Sequence, residues 1–187
     1  MKAGQWAAIV ATVLVSSSIT LAHGMHERPG DSVRGLRSVY VSVHVDGKSL
    51  AASGLTTPRV WSAVVLRLRL AGLGVLNETE WEKTEGKPYL YVSLSDTALS
   101  GQARHPAGYV CTCSFDLMQE VALARQPRLH VDACTWSRGA TLIVPPKDGA
   151  QVRMLVDNLA AEFTHDVTAA NSPVTRPARS RAPLEKQ

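Results

Sequence analysis

The chain has 187 residues, of which 45% are hydrophobic and 19% charged, and its formal net charge is +4. This length is enough for one domain with a core of its own and too short for two. The positive charge comes from Lys2 and from the stretch 171–187, while the body between them is neutral. A neutral body argues against the class of proteins that bind nucleic acid through charge.

The first 24 residues have the pattern of a secretory signal peptide. Lys2 precedes an apolar run over residues 6–15, and small residues follow. The run is shorter than the roughly 20 apolar residues of a membrane-spanning helix. The small residues predict cleavage after Gly24, with cleavage after Ala22 as the alternative. We therefore expect an exported protein, periplasmic or secreted, with a flexible leader at 25–35 and no transmembrane segment after processing.

The next segments predict a strand, a helix, a strand and a short helix. Residues 38–45 alternate like a half-buried strand, with four valines on one face: Val39, Val41, Val43 and Val45. A polar linker leads to a helix over 58–71, with Thr57 as its cap and Gly72 as its left-handed stop. Its apolar side chains recur at helical spacing and are predicted to be core: Val60, Trp61, Val64, Val65 and Leu68.

A short strand at 73–76 and a helical turn follow. Thr79 to Glu82 has the spacing of a capping box, which predicts the start of that turn. Asn77 belongs to a glycosylation sequon, although helix capping accounts for it more simply. Residues 89–94 alternate as a third strand.

A long hairpin and a closing helix complete the pattern. Residues 109–123 and 129–144 predict two paired strands around a turn at 125–128, with fraying at 137–139. The inner face of the first of these strands is expected to carry Tyr109, Cys111, Cys113, Phe115, Leu117, Val121 and Leu123, with Gln119 as the exception. Residues 149–165 have the apolar spacing of an amphipathic helix.

This order of elements predicts an α+β domain over residues 36–167. We expect a single mixed sheet of about five strands with a strand–helix–strand start, a long hairpin in the second half, and two main helices on one face. Residues 168–187 are expected to form a disordered basic tail, because they have little to bury. Such a tail can touch anionic lipid or envelope polymers, and its simpler role is solubility.

The three cysteines are expected to be buried free thiols. Cys111 and Cys113 point the same way from one strand, a geometry that resists a disulfide. With Ala124 facing Leu129, the predicted register puts Cys134 opposite Gln119, about 20 Å from Cys113 at the rise of a strand. A metal site would need two further ligands near Cys111 and Cys113, and the pattern supplies neither. We therefore expect no metal and no cofactor.

The chain resembles a family of small exported bacterial α+β proteins of uncharacterised function. The resemblance covers residues 36–166 and rests on six segments: Val39-Tyr40-Val41-Ser42-Val43, Leu70-Ala71-Gly72-Leu73-Gly74-Val75-Leu76, Glu80-Trp81, Pro88-Tyr89-Leu90-Tyr91-Val92, Gln119-Glu120-Val121 and Thr135-Trp136-Ser137. These are packing and turn positions, so the resemblance implies a fold and an exported location and carries no catalytic residues. The arrangement is also similar, at fold level, to envelope-assembly modules.

Two functions follow as hypotheses. The first is a non-catalytic binding or assembly module of the bacterial envelope, which holds an unknown envelope protein or ligand by its exposed sheet face or an edge strand. The candidate partner-binding face carries Asp116, Met118 and Glu120. The second is a hydrolytic enzyme whose site assembles from scattered residues: His44, His130, Asp132 and Asp116. No recognisable catalytic motif is present, which favours the first.

Overall fold

The computed structural model describes residues 30–99, 108–146 and 148–172. The predicted signal peptide, residues 25–29 of the leader and residues 173–187 of the tail lie outside these described residues. A short 3-10 helix at Asp31–Val33 precedes the main elements. In chain order these are β1 (Ser38–Asp46), α1 (Lys48–Ala52), α2 (Thr57–Leu70), β2 (Gly74–Leu76), α3 (Glu78–Glu82), β3 (Tyr89–Ala98), β4 (Tyr109–Leu123), β5 (Gln126–Val144) and α4 (Gly149–Asn171).

The strands form one mixed sheet in the order β2-β1-β3-β4-β5. β1 is parallel to both of its neighbours, and the pairs β3–β4 and β4–β5 are antiparallel. The two long helices, α2 and α4, contact each other and lie against the same side of the sheet. The predicted α+β class, with a strand–helix–strand start, five strands and two main helices on one face, is confirmed.

The alternation along each strand separates two faces. The inner face points toward α2 and α4 and holds the core of the strands: Val39, Val41, Leu90, Val92, Leu94, Tyr109, Cys111, Cys113, Phe115 and Leu117. The helices meet it with Val60, Val64, Val65, Leu68, Val152, Val156, Leu159 and Phe163. The opposite, outer face carries polar and aromatic side chains. In the described part of the chain, no helix is both long enough and apolar enough to cross a membrane.

The start of α2 differs from the prediction. A helix, α1, occupies part of the expected polar linker, and the cap of α2 is Thr56 rather than Thr57. Trp61, predicted to be core, is 41% exposed. Its indole N–H donates to the Val41 carbonyl at 3.3 Å. β2 pairs with β1 only as far as Tyr40, so the carbonyl of the next residue, Val41, needs a donor from elsewhere. The Trp61 N–H is that donor, at the edge of the sheet.

The short helix α3 begins with a capping box that is placed two residues before the predicted one. The Asn77 side chain accepts from the Glu80 N–H at 2.9 Å, and the Glu80 carboxylate accepts from the Asn77 N–H at 2.9 Å. The predicted start at Thr79 is therefore wrong, whereas the capping role predicted for Asn77 is confirmed. Asparagine caps at least as well as threonine, and the glutamate sits at the matching third position.

The hairpin is tighter than predicted and is continuous where fraying was expected. β4 ends at Leu123 and β5 begins at Gln126, so the turn comes earlier than 125–128. Ser114, Phe115 and Asp116 pair with residues 137–139, so this stretch does not fray. Cys134 pairs with Met118 rather than Gln119, and a register shift next to it leaves Thr135 as an extra residue. Such a bulge reverses which face the following side chains occupy.

The folded region extends beyond the predicted range 36–167 at both ends. Val33, in the predicted leader, is fully buried in the core. α4 continues to Asn171, whose amide N–H donates to the Val33 carbonyl at 3.2 Å. The Asn171 side-chain oxygen also accepts from the Gly35 N–H at 2.6 Å. These contacts join the start of the domain to its last helix, which no local pattern in the sequence indicates.

Candidate functional site on the outer face of the sheet

The predicted partner-binding residues lie in one line along β4, on the outer face of the sheet. Asp116 pairs with Tyr91 of β3 and Ser137 of β5, and Met118 pairs with Tyr89 and Cys134. Glu120 continues the line toward the hairpin turn. All three side chains are half-buried. The strand period of two fixes their common face, because alternate residues of a strand point to the same side.

Asp116 is the centre of a hydrogen-bonded network. Its carboxylate accepts from the Ser137 hydroxyl at 2.6 Å and from the Ser114 hydroxyl at 2.9 Å. Ser114 in turn lies 3.3 Å from the Ser93 hydroxyl, and the Cys134 thiol donates to Asp116 at 4.0 Å. The network crosses three strands, so it holds the carboxylate in one orientation on an otherwise regular polar surface.

Met118 adjoins an aromatic cluster at the β1 side of the same face. The Trp81 ring of α3 lies 5.6 Å from the Tyr40 ring and 5.9 Å from the Tyr89 ring, the latter edge-on. The Trp81 N–H donates to the Lys87 carbonyl at 2.8 Å, which fixes the ring against the sheet. Aromatic rings next to a flexible thioether make an adaptable apolar surface beside the polar network.

Glu120 links the hairpin to the loop before β3. Its carboxylate lies 2.9 Å from the His130 ring nitrogen and 3.3 Å from the Lys87 ammonium group. Its backbone N–H donates to the Gly86 carbonyl at 2.8 Å. The hydrogen bonds from His130 and then from Lys87 lower the pKa of Glu120 below its ordinary value. Glu120 is therefore a charged group held in place at one end of the outer face.

The residues of the enzyme hypothesis do not converge. Asp132 pairs with Glu120, four positions from Asp116 along β4, or about 13 Å at the rise of a strand. His130 lies two positions further on and bonds Glu120. His44 belongs to β1, two strands away from Asp116, or about 10 Å at the usual spacing. Among the described residues, no three His, Cys, Asp or Glu side chains lie close enough to hold a metal ion.

The cysteines occupy both faces of the sheet, which corrects the prediction for one of them. Cys111 and Cys113 are buried on the inner face, as expected, whereas Cys134 is exposed. All three thiols are free. Burial, and then the nearby Asp96, raises the pKa of Cys111 to about 11, and burial raises that of Cys113 further. The bulge beside Thr135 places Cys134 on the outer face, so the physical cause is the register shift.

Several residues of the face were not predicted from the sequence. Ser137, Cys134 and Tyr91 join Asp116 and Met118 only through strand pairing, and they come from β3 and β5. Tyr91 has a detectable pattern, because it alternates with buried residues. Ser137 faces Asp116 in the register that the sequence predicts, in which Ala124 faces Leu129, although fraying was predicted at 137–139. Cys134 has no such pattern, since the bulge at Thr135 that sets its position depends on how β5 meets the rest of the fold.

Comparisons with known proteins identify distant structural likenesses only. No family model and no curated protein matches the chain. A minor lipoprotein from Acinetobacter baumannii gives a TM-score of 0.35 at 10% identity, over 72% of this chain and 94% of the other. The PelC dodecamer from Paraburkholderia phytofirmans gives a TM-score of 0.40 at 14% identity, over 70% of this chain and 89% of the other.

A protein described as a neuraminyllactose-binding hemagglutinin homolog, from Helicobacter pylori, gives a TM-score of 0.35 at 14% identity, over 74% of this chain and 84% of the other. All three are bacterial proteins. Their TM-scores are below 0.5, so the likeness assigns neither an activity nor a partner to this chain.

Proposed function

We propose that the protein is an exported, non-catalytic binding or assembly module of the bacterial cell envelope. In this proposal the outer face of the sheet holds an envelope protein or ligand, and Asp116, Met118 and Glu120 contact it. The signal-peptide pattern of the first 24 residues supports export. The basic tail and the leader then flank a domain whose role is recognition.

The observation that carries the proposal is the exposed and ordered character of the outer face. Both long helices lie on the inner face, and several side chains at the middle of the outer face are exposed: His44, Ser95, Thr112, Cys134, Ser137 and Thr141. Asp116 nevertheless has two hydroxyl donors within 2.9 Å, so its orientation is set before any partner arrives. Preorganised polar groups beside an apolar patch favour specific binding, because less entropy is lost on association.

Site-specific photo-crosslinking in the exporting cell tests the proposal. A photoreactive phenylalanine analogue replaces Met118, and a matched control places it at Asp157, which is exposed on α4. We expect a discrete covalent adduct from position 118 and none from position 157. Adding Asp116→Ala should reduce the yield of the adduct at least about threefold, since a charged hydrogen-bonding group of an interface is lost.

Two controls make the result decisive. Asp116→Ala removes the acceptor of two hydroxyls, so it should lower the free energy of unfolding by about 1–2 kcal/mol and leave the protein folded. Chemical denaturation measures that change. Equal adducts from positions 118 and 157, or an adduct indifferent to Asp116→Ala, contradict a partner on this face. Turnover of a substrate by the purified protein contradicts the non-catalytic class.

A further inference from the structure

The outward surface of α2 carries a stripe that the core does not use. Arg59, Ala63, Leu66 and Leu70 follow each other at steps of four, three and four residues, which places them in one line along the helix. All four are exposed, and Leu66 and Leu70 are 59% and 73% exposed. Scattered exposed leucines are ordinary, but two on adjacent turns of one helix form a continuous apolar strip.

The charged residues of α2 itself all have one sign. α2 contains Arg59, Arg67 and Arg69 and no acidic residue. Cations in the last turn offset the helix dipole, which is a sufficient structural reason for Arg67 and Arg69. Arg59 lies in the first turn, where the dipole disfavours a cation, and its one hydrogen bond goes to the Gly54 carbonyl at 3.2 Å on the surface. Neither the helix dipole nor the hydrogen bond of Arg59 explains why the two leucines are exposed.

The last turn of α4, from which the chain continues into the basic stretch 173–187, lies beside the C-terminal end of α2. A cavity of about 460 Å³ is lined by Ala71 and Gly72, just after α2, and by Thr168 and Asn171, in the last turn of α4. Exposed Arg37 also lines it. The chain then continues into residues 173–187, whose sequence carries four cations and one anion: Arg176, Arg179, Arg181, Lys186 and Glu185.

We propose that the protein docks on an anionic phospholipid bilayer through the stripe of α2, with the basic tail as a second electrostatic contact. Arginines attract the anionic headgroups, and Leu66 and Leu70 enter the boundary with the acyl chains. Stable attachment at a membrane surface generally takes two such signals. The proposal does not depend on the partner-binding role of the outer face, which lies on the opposite side of the sheet.

The leucines decide between a bilayer and a soluble anionic polymer. A polymer such as a polyphosphate offers charge and nothing apolar, so the leucines would contribute nothing to its binding. In a bilayer interface, the two leucines bury apolar surface, and binding strength scales with that area. A second protein could also cover an apolar strip, but a partner protein would not require anionic lipid.

Vesicle flotation of the purified exported protein tests the proposal. The probes are vesicles of phosphatidylcholine alone and vesicles with about one third phosphatidylglycerol, a composition that presents the negative surface attractive to Lys and Arg. We expect binding to the anionic vesicles and little to the neutral ones. Arg59→Gln and Arg69→Gln should each weaken it about fivefold, the effect of one cation near such a surface. Leu66→Ser with Leu70→Ser should weaken it about tenfold or more.

Matched controls separate docking through α2 from a general effect of surface charge or apolar exposure. Leu129→Ser and Arg128→Gln change an exposed leucine and an exposed arginine of the hairpin, and binding should stay within about twofold of the parent. Deleting residues 173–187 should weaken binding to the anionic vesicles, and the binding that remains should depend less on the salt concentration. No binding to anionic vesicles, an unchanged affinity in the leucine variant, or an equal loss in the hairpin controls would overturn the proposal. Thermal melts of each variant exclude misfolding as the cause.

Discussion

At the scale of single residues, the three cysteines show how a residue's chemistry follows from the face it occupies. Cys111 and Cys113 are fully buried in the core, so they act as small hydrophobes. Cys134 lies beside Asp116 and also donates to the Trp136 carbonyl at 3.4 Å. Desolvation and the Asp116 charge raise the pKa of Cys134 above its ordinary value. Its exposure, rather than its acidity, sets it apart from the other two.

The thiols should therefore differ in access to a reagent. We expect one thiol of the native protein to react with a disulfide reagent at pH 8, and three to react after denaturation without reductant. Cys134→Ser should abolish the native reaction and leave two thiols in the denatured protein. Three rapidly reacting thiols in the native state would show that the inner face is open. One thiol in the denatured protein would show a disulfide.

Glu120 should titrate below its ordinary value. Hydrogen bonds from His130 and Lys87 lower the pKa of Glu120 in the folded protein. These contacts therefore stabilise the protein at pH values above 4.5, the pKa of this group in the unfolded chain. Their contribution is lost as the pH falls through the lower pKa of the folded state. His130→Ala should move the pKa of Glu120 back toward 4.5, as measured by NMR titration of its carboxyl carbon. An unchanged value would mean that this pair does not form in solution.

At the scale of elements, the junction between β1 and α1 depends on one glycine. Gly47 has φ +146°, a conformation that favours glycine, and a Cβ there would overlap the carboxylate of Asp96. That carboxylate accepts from the Leu50 N–H at 2.9 Å, inside the first turn of α1. Asp96, on β3, thus caps helix α1. Its carboxylate fits there because Gly47 has no Cβ atom to occupy the same space. The cap comes from 46 residues away.

Gly47→Ala should lower the free energy of unfolding by about 2–4 kcal/mol. Backbone strain contributes about 1–3 kcal/mol, and displacement of Asp96 removes a hydrogen bond to a charged group. Gly35→Ala is the matched control, because Gly35 also has positive φ, +79°, with nothing within 4 Å of the added Cβ. The control should cost only about 1–2 kcal/mol. Urea denaturation measures both, and equal losses would show that Asp96 can move away freely.

At the scale of the whole molecule, the two ends of the described domain support each other. Val33 enters the core, and Asn171 bonds the backbone of the segment around it. Asn171 also donates to the Val167 carbonyl at 2.8 Å, so one side chain closes the last turn of α4 and the start of the domain together. The sequence after Ser172, by contrast, has few large apolar side chains that could add to the core.

Asn171 and the stretch after it should therefore contribute unequally to stability. Deleting residues 173–187 should change the melting temperature by less than about 2 °C, because little apolar surface is lost. Asn171→Ala should lower it by about 4–8 °C, since a domain of this size loses roughly 2–4 °C per kcal/mol and several hydrogen bonds go. Ser172→Ala is the control, because its hydroxyl bonds only the Thr168 carbonyl, at 2.8 Å on the surface. Equal melting temperatures would contradict the docking of Asn171.

The types and the order of the main elements follow from the sequence. Alternation over β1, β3 and β4 and the apolar face of α2 are local patterns, because each repeats with the period of its own backbone geometry. They predict the α+β sheet, both long helices and the common face of Asp116, Met118 and Glu120. The capping role of Asn77 was equally predictable, since a cap acts on its own helix.

Which residues meet across the sheet depends instead on tertiary packing. The bulge at Thr135 sets the position of Cys134. That bulge depends on the core, because the Trp136 ring lies 4.9 Å from the Phe163 ring, centre to centre, and its N–H bonds Asp166 of α4. Trp61 is partly exposed because its ring lies at the edge of the sheet, just past the end of the short strand β2. No pattern within α2 indicates this position. The register between two strands is set by long-range contacts, and their free energies add up over the whole core. The local sequence of one strand does not contain this information.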